Sequence, residues 1–163
     1  MKCDCKDGVW SVTQGKCFNC MSGWILIRKT CYRVSNNFPS GIVFSNLKNR
    51  TDIVVSMCYN EPTAKIARLN DANVNDIINS NNFVLPYPAY TFNYLYVDNI
   101  LDPGTNIFRS SDGLFELSSI YWQTGIVNPS SCLTIQNKAI LTHSCLHGSG
   151  IDVHPILCEY YII

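Results

Sequence analysis

Charged residues are scarce in this sequence, and their signs balance. Of 163 residues, 12 are Lys or Arg and 12 are Asp or Glu, so charged residues make up 15% and the formal net charge is zero. Nucleic-acid-binding domains and polybasic membrane-surface patches both need clustered Lys and Arg. The balance therefore argues against nucleic acid, or an anionic membrane surface, as the main partner.

Long apolar runs are also missing. No stretch reaches the 18 consecutive apolar residues that are typical of a transmembrane helix. Hydrophobic residues nevertheless make up 47% of the sequence and aromatic residues 12%. This composition and length predict one domain with a sizeable single core.

Cysteine, by contrast, is abundant. The nine cysteines are Cys3, Cys5, Cys17, Cys20, Cys31, Cys58, Cys132, Cys145 and Cys158. A reducing compartment would leave such a set as free thiols or metal ligands, whereas an oxidising extracellular environment pairs them. Because nine is odd, we expect at least one thiol to be unpaired or to bridge to another chain. No signal peptide follows Met1, so we expect a leader or anchor to lie upstream.

The first half of the sequence predicts short elements. Residues 1–19 are polar and cysteine-dense, which is typical of an appendage with little core. Strands are predicted at 24–27 and 31–34, joined by a polar turn. Helices are predicted from Ser40 or Ser45 through Cys58, and over residues 72–79 after an Asn70-Asp71 cap. Between the helices, residues 64–69 alternate as a strand does, with Ala64, Ile66 and Leu69 facing inward.

The second half predicts more strands and longer loops. Residues 80–93 contain two prolines and many aromatics, and we interpret them as irregular. A strand is predicted at 94–97, and residues 98–120 are expected to be rich in loops, with turns at Asp102-Pro103-Gly104 and Ser111-Asp112-Gly113. Three further strands are predicted, at 131–135, 139–141 and 156–161.

The motifs between Cys20 and the end of the chain resemble one known family in their order. They are Cys20-x-x-Gly-Trp24, Cys31-Tyr32, Cys58, Ala64-x-Ile66-Ala67-x-Leu69-Asn70-Asp71, Ser111-Asp112-Gly113, Tyr121-Trp122-Gln123-Thr124-Gly125, Cys132-Leu133-x-Ile135, Cys145 and Leu157-Cys158-Glu159. This series resembles a long-form C-type lectin-like domain over residues 20–163. The family's central Trp-Ile-Gly-Leu stretch is matched only in character, by residues 94–97. The resemblance implies an α+β fold with two helices flanking a small antiparallel sheet and a long loop-rich region. Trp24 and Trp122 are then expected in the core.

The resemblance also implies three disulfides, Cys20–Cys31, Cys58–Cys158 and Cys132–Cys145. Six cysteines allow 15 pairings, so spacing alone does not give this connectivity. Cys5–Cys17 or Cys3–Cys17 is expected as one further local bridge. The remaining thiol, with Cys3 as the candidate, would then be available to link two chains into a homodimer.

Sugar-binding members of this family hold calcium with two side-chain triplets. The matching positions here are Ile126-Val127-Asn128 and Ile140-Leu141-Thr142, of which only Asn128 keeps an expected oxygen ligand. Calcium needs six to eight oxygen ligands, usually with carboxylates, and residues 123–151 contain no Asp or Glu. We therefore expect no metal and no cofactor.

Without calcium, the resemblance implies a binding role like that of natural killer cell receptors. We expect extracellular binding of a protein ligand or cell-surface receptor through the long-loop face, with Phe108, Phe115, Tyr121 and Asn128 as ligand-binding candidates. Aromatic side chains are favoured interface anchors. One alternative is a secreted lectin that binds a glycan without calcium or at a displaced site. Another is an inhibitor or toxin-like subunit that acts by protein binding.

Enzymatic and zinc-binding alternatives fit the sequence less well. Cys3-x-Cys5 with Cys17-x-x-Cys20 is a poor zinc pattern, because its first pair is too closely spaced. Cys17-x-x-Cys20 lacks the βαβ setting of redox motifs. His143, Ser144, His147 and His154 show no assembled triad. We therefore predict no catalytic residues and no enzyme activity.

One glycosylation sequon is usable. Asn49-Arg50-Thr51 matches the acceptor pattern, so Asn49 is a candidate glycosylation site in a secreted protein. Asn128-Pro129-Ser130 is excluded by its proline.

Overall fold

The computed structural model describes residues 5–6, 8–36, 43–80, 94–102, 104–118, 131–136, 139–145 and 155–162. In these ranges the strands are β1 (Val9–Ser11), β2 (Lys16–Phe18), β3 (Ile25–Ile27), β4 (Thr30–Val34), β5 (Lys65–Ile66), β6 (Tyr94–Asp102), β7 (Ile107–Arg109), β8 (Glu116–Leu117), β9 (Ser131–Gln136), β10 (Ala139–Ser144) and β11 (Leu157–Tyr161). The helices are α1 (Phe44–Leu47), α2 (Thr51–Met57) and α3 (Val74–Ile78). The predicted α+β class is confirmed.

Within the described ranges, the strands form three antiparallel sheets. β1 and β2 make an N-terminal hairpin, a four-stranded sheet has the order β3-β4-β11-β5, and a five-stranded sheet has the order β10-β9-β6-β7-β8. The last strand of the chain, β11, therefore lies between β4 and β5. A parallel bridge between Tyr96 and Ile156 connects the two larger sheets.

The buried side chains of the described residues form two clusters. Strand β11 contributes to both, because successive side chains of a strand point to opposite faces of the sheet. Cys158 and Tyr160 face the first core, which also holds Trp24 and the inward sides of α1 and α2. Leu157 faces the second core, which lies against α3 and the five-stranded sheet. Trp24 packs edge-on against Tyr160, with ring centroids 4.7 Å apart. The prediction that Trp24 is in the core is confirmed, whereas Trp122 lies outside the described residues.

The helical region differs from the prediction of one helix ending at Cys58. Two short helices occur instead, because Arg50 between them has φ −115° and ψ 74°, outside the helical region. Helix α2 ends where Tyr59 and Asn60 adopt positive φ values of 61° and 60°. Its buried side chains are Val54 and Met57.

Helix α3 lies within the predicted range of residues 72–79. The side chains of Asn70 and Asn73 exchange hydrogen bonds with each other's backbone N–H, at 2.8 and 2.9 Å. The N-cap position is nevertheless Asn73, which makes no side-chain capping hydrogen bond, so the predicted Asn70-Asp71 cap is wrong and Asn70 instead stabilises the turn before the helix.

Residues 64–69 and 98–120 also differ in detail from the predicted elements. Only Lys65–Ile66 is a strand, although Ala64, Ile66 and Leu69 are buried as expected. The stretch predicted as loop-rich contains the end of β6 together with β7 and β8. The predicted Ser111-Asp112-Gly113 turn joins β7 to β8, with Gly113 at a φ of 72°.

Candidate ligand-binding surface

Among the described residues, four disulfides fix the framework. They join Cys5 to Cys17, Cys20 to Cys31, Cys58 to Cys158 and Cys132 to Cys145. The last three are the pairings implied by the resemblance, and Cys5–Cys17 is one of the two local bridges that the sequence left open. Cys58–Cys158 spans 100 residues, which is worth roughly 4–5 kcal/mol in the chain-entropy description.

These bonds overturn the zinc and thiol-redox alternatives. Cys5, Cys17 and Cys20 are each oxidised, and Cys17 and Cys20 are bonded to different partners. A disulfide sulfur offers no thiolate to a metal, and a redox pair must be able to bond internally. Within the described ranges, no group of three or more His, Cys, Asp or Glu side chains is placed to hold a metal ion.

One of the two calcium-ligand triplets falls on strand β10. Ile140 pairs with Ile135 of β9, and its side chain is only 2% exposed. Leu141 and Thr142 follow on the same strand, so the three residues offer a single side-chain oxygen. A calcium ion needs several oxygen ligands, with carboxylates to offset its charge. These residues do not fit the ion. The other triplet, including Asn128, lies outside the described residues.

A buried arginine is the centre of the polar structure beside β11. Arg68 is 3% exposed, and its Nε donates to Glu159 Oε1 at 2.7 Å. Its two terminal nitrogens, Nη1 and Nη2, donate to Asp112 and to Tyr161 Oη, respectively. The guanidinium carbon also lies 4.1 Å from the Phe115 ring centroid. One cation thus joins strand β11 to the β7–β8 turn.

The electrostatics of this cluster follow from burial and from the shared guanidinium. Burial raises the pKa of Glu159, which is 1% exposed, and the Arg68 charge opposes that rise without cancelling it. Burial acts in the same direction on Asp112, but hydrogen bonds from Ser110 and the Leu114 N–H, together with Arg68, hold the pKa of Asp112 below its ordinary value. Compared with the same groups in water, Glu159 is therefore easier to protonate and Asp112 is harder to protonate.

The β7–β8 segment is tied down at three points by carboxylates. Ser111 Oγ donates to Asp98 at 2.7 Å, and Asp112 contacts Arg68. After β8, the Ser118 N–H donates to Asp71 at 2.8 Å, and its hydroxyl bonds the same carboxylate. These contacts hold residues 110–118 against β6 and the start of the α3 turn, which pre-orders the surface that they carry.

That segment presents apolar groups to solvent. Leu114, at the tip of the turn, is 75% exposed, and Tyr161, whose hydroxyl accepts from Arg68, is 45% exposed. Phe115 is partly buried, with its ring over the guanidinium. We call Leu114, Phe115 and Tyr161 the turn surface. Large apolar groups on an ordered segment are suited to contacts with another molecule.

Phe108 is a correction to the predicted ligand-binding residues. Its side chain is 0% exposed and belongs to the second core. It points inward because β7 is paired with both β6 and β8, with Phe108 opposite Leu101 and Leu117 on the covered face. Phe108 therefore supports the fold and cannot contact a ligand at the surface.

The remaining predicted residues are placed as follows. Phe115 is at the turn surface, whereas Tyr121 and Asn128 lie outside the described residues. Asn49, the glycosylation candidate, is exposed between α1 and α2. Cys3, the candidate for an interchain bond, also lies outside the described residues.

Sequence reasoning missed the role of Arg68. It stands in a stretch predicted as an alternating strand, where an isolated arginine suggests an outward-facing side chain. The available signal was Glu159, an acidic residue in an otherwise apolar closing strand. A carboxylate at a buried position needs a cationic or hydrogen-bonding partner.

No family model matches the sequence, and no curated protein matches it. Solved structures do match. The structure of SPL-1 in complex with GlcNAc has a TM-score of 0.54 at 17% identity, covering 86% of this chain and 94% of that one. SPL-2, a calcium-independent C-type lectin from Saxidomus purpuratus, has a TM-score of 0.53 at 17% identity and covers 86% and 93%.

The mouse scavenger receptor C-type lectin carbohydrate-recognition domain gives a TM-score of 0.55 at 12% identity, with coverage of 88% and 98%. Such low identities establish a shared fold. The chain therefore has the C-type lectin-like fold, as the sequence motifs predicted. In the part of the chain that the structure describes, no helix is long and apolar enough to cross a membrane.

Proposed function

We propose that this chain is an extracellular recognition domain that binds a protein ligand without calcium. The observation that carries the proposal is that strand β10 offers Leu141 and Thr142, without a carboxylate, at the positions that match the Asn and Asp of the Trp-Asn-Asp calcium triplet in sugar-binding relatives. A calcium-bridged ligand has no support there, so recognition must depend on ordinary apolar, aromatic and hydrogen-bonding contacts.

The turn surface supplies the described part of the proposed interface. Leu114 projects from a turn that is fixed by Asp98 and Arg68, so little ordering is required when a ligand binds. Phe115 brings a rigid ring, which adds contact area at low entropy cost. We propose that Tyr121 and Asn128 extend this interface on the long-loop face.

The surrounding organisation is part of the same proposal. Residues 20–163 form the recognition domain, and residues 1–19 form a disulfide-closed appendage. The four disulfides support an oxidising, extracellular location. Asn49, exposed between two helices, is the proposed glycan acceptor, and Cys3 is the proposed link in a homodimer. The chain is proposed to act by binding and to lack catalytic activity.

Glycan binding is the second candidate. It is favoured by the likeness in fold to SPL-1, whose structure is a GlcNAc complex, and to SPL-2, a calcium-independent lectin. In this chain such binding would depend on aromatic stacking and hydrogen bonds.

Tetramers of the chain, tested on cells and on a glycan array, distinguish the two candidates. We expect cell staining that persists in EDTA and is lost after protease treatment of the cells, with no array signal. The double variant Leu114→Ser/Phe115→Ala should lose staining. Val12→Ser, which changes another apolar residue at 86% exposure on the β1–β2 hairpin, is the matched control. Array binding without protein-dependent staining would favour the glycan.

A further inference from the structure

Arg33 is a partly buried cation without a carboxylate partner among the described residues. It follows Cys31 by two residues on β4, so its side chain leaves the sheet on the face of the first core. The other four arginines of the chain each form an ion pair. In the part of the chain that the structure describes, the Arg33 guanidinium instead contacts the ring of Tyr59. Its charge and its N–H donors are therefore left for a ligand or for water.

The Tyr59 ring holds this guanidinium in one position. Arg33 Cζ lies 3.4 Å from the ring centroid, over its face. The Tyr59 hydroxyl donates to the Val34 carbonyl at 3.1 Å, which fixes the ring. Tyr59 also has a φ of 61°, a left-handed backbone conformation that is unfavourable for a bulky residue. Such strain persists only where the surrounding structure enforces it, and it is concentrated at functional sites.

Gly23 supplies the space for the Arg33 side chain. A Cβ atom at Gly23 would lie 2.8 Å from both Cζ and Nη1 of Arg33, so a larger residue would displace the guanidinium. Gly23 has a φ of 88°, which favours glycine, in a turn that the Trp24 N–H closes by donating to the Met21 carbonyl at 3.0 Å. Met21 opens this turn, and its side chain is 44% exposed. The turn thus brings an exposed apolar residue close to the cation.

We call Met21, Arg33 and Tyr59 the Arg33 surface. A guanidinium presents its N–H donors in a planar fork that matches a carboxylate. Because stacking already fixes this fork, little side-chain entropy is lost when it binds. Arginine, methionine and aromatic residues are the types that are enriched in protein interfaces. The charge favours an acidic ligand group, and the exposed apolar side chain favours a protein as its source.

We propose that the Arg33 surface binds an acidic segment of a protein partner. One aspartate or glutamate carboxylate of that segment accepts N–H bonds from Arg33, and a neighbouring apolar side chain packs against Met21. Arg33 lies on the first-core face of the four-stranded sheet, whereas Tyr161 projects from the other face with Glu159 and Leu157. The site is therefore separate from the turn surface and does not depend on it.

Short synthetic peptides test this site. Fluorescent tetramers of the chain are applied in EDTA to an array of peptides that carry a central glutamate or aspartate beside leucine or phenylalanine, and to matched peptides in which glutamine or asparagine replaces the acid. We expect the acidic set to bind about tenfold more strongly, because hydrogen bonds between charged groups are the stronger ones. Equal binding of the two sets, or no binding to either, would overturn the proposal. Binding to a sulfated-glycan array in place of the acidic peptides would overturn the protein partner.

Variants assign the binding to Arg33. Arg33→Lys keeps the charge but loses the planar fork, so its binding to the acidic peptides should fall to that of the amide peptides. Its thermal unfolding midpoint verifies that it is folded. Arg28→Lys makes the same change in an exposed arginine that already pairs with Asp76, and it should bind as the wild type does. Met21→Ser, at an exposed position, should fold in any case and should weaken binding several-fold.

The turn-surface variant Leu114→Ser/Phe115→Ala separates this site from the proposed function. It should lose cell staining but keep its binding to the acidic peptides. Acidic-peptide binding that persists unchanged in both Arg33→Lys and Met21→Ser, or that is lost only in the turn-surface variant, would contradict the site.

Discussion

Arg68 shows how one side chain can connect two parts of this fold. It is 3% exposed and reaches Glu159 on β11, Asp112 in the β7–β8 turn and Tyr161 near the surface. The Glu159 carboxylate and the Arg68 guanidinium are costly to bury, and the cost is offset only while each has its partners. The loss of Arg68 should therefore destabilise the fold mainly because it leaves Glu159 buried without a partner, and less because the packing of Arg68 itself is lost.

Replacing Arg68 tests this dependence. In Arg68→Met, Glu159 remains as a buried carboxylate without its cation, and breaking such a pair typically costs about 3–5 kcal/mol. Urea unfolding should show this loss. Arg50→Met, in an exposed pair with Asp52, should change stability by less than about 1 kcal/mol. Equal effects of the two variants would show that the Arg68 cluster does not support the fold.

Substitutions of the two phenylalanines that flank the β7–β8 turn should affect different properties, folding stability for Phe108 and ligand binding for Phe115. Phe108→Ala removes a fully buried ring from the second core and should cost about 3–5 kcal/mol in urea unfolding. Phe115→Ala should cost less than Phe108→Ala, because its ring is partly exposed, yet it should weaken cell binding by tenfold or more. Normal cell binding by folded Phe115→Ala would remove it from the proposed interface.

At the scale of elements, the β7–β8 turn is held by a carboxylate whose pKa is lowered. Asp112 contributes stability that is present above the ordinary aspartate pKa of about 4 and lost as the pH falls through the lower folded value. The pKa of Glu159 is raised, so the pH dependence of its contribution has the opposite sign. Its contribution to folding stability is present at low pH and is lost as the pH rises through the folded pKa.

Asp112→Asn isolates the first of these effects. The variant should be less stable than the wild type at neutral pH, and the difference should shrink toward zero as the pH is lowered below about 4. Urea unfolding from pH 3 to pH 7 measures it. A difference that stays constant over the whole range would show that the Asp112 charge does not anchor the turn.

Most strands were predictable because their signals are local. Strands β3, β4, β9 and β11 follow apolar and β-branched runs bounded by turn residues, and the Ser111-Asp112-Gly113 turn follows from glycine at positive φ. The break at Arg50 was not predictable, since nothing in the residue type excludes helix. The inward direction of the Phe108 side chain was not predictable either. It depends on the pairing of β7 with both β6 and β8, which the local sequence pattern does not show.

The candidate surface was predictable only in part, because the exposure of a side chain depends on tertiary packing. Aromatic content pointed to residues of the loop-rich half, and Phe115 is indeed displayed there over Arg68. Sequence cannot show which aromatic residue faces solvent, because that depends on tertiary packing. Leu114, the most exposed residue of the turn surface, has no aromatic signature and was not singled out.

For the whole molecule, the Cys58–Cys158 bond connects the end of α2 to β11, an inner strand of the four-stranded sheet. The double variant Cys58→Ser/Cys158→Ser should lose roughly 4–5 kcal/mol of stability in urea, on the chain-entropy description. Cys5→Ser/Cys17→Ser opens a loop of only 12 residues outside both cores and should cost less. A larger loss from the N-terminal pair would contradict this ranking.

The central proposal is that this chain, which has the C-type lectin-like fold, recognises its ligand without calcium. Thermal unfolding in sodium gluconate with EDTA, compared with added calcium gluconate, tests it most directly. The account predicts the same midpoint in both solutions, because β10 presents Leu141 and Thr142 at the two ligand positions of the calcium triplet and offers no carboxylate there. A saturable rise in the midpoint with calcium that EDTA reverses would mean that the folded protein binds the ion, and would contradict the claim.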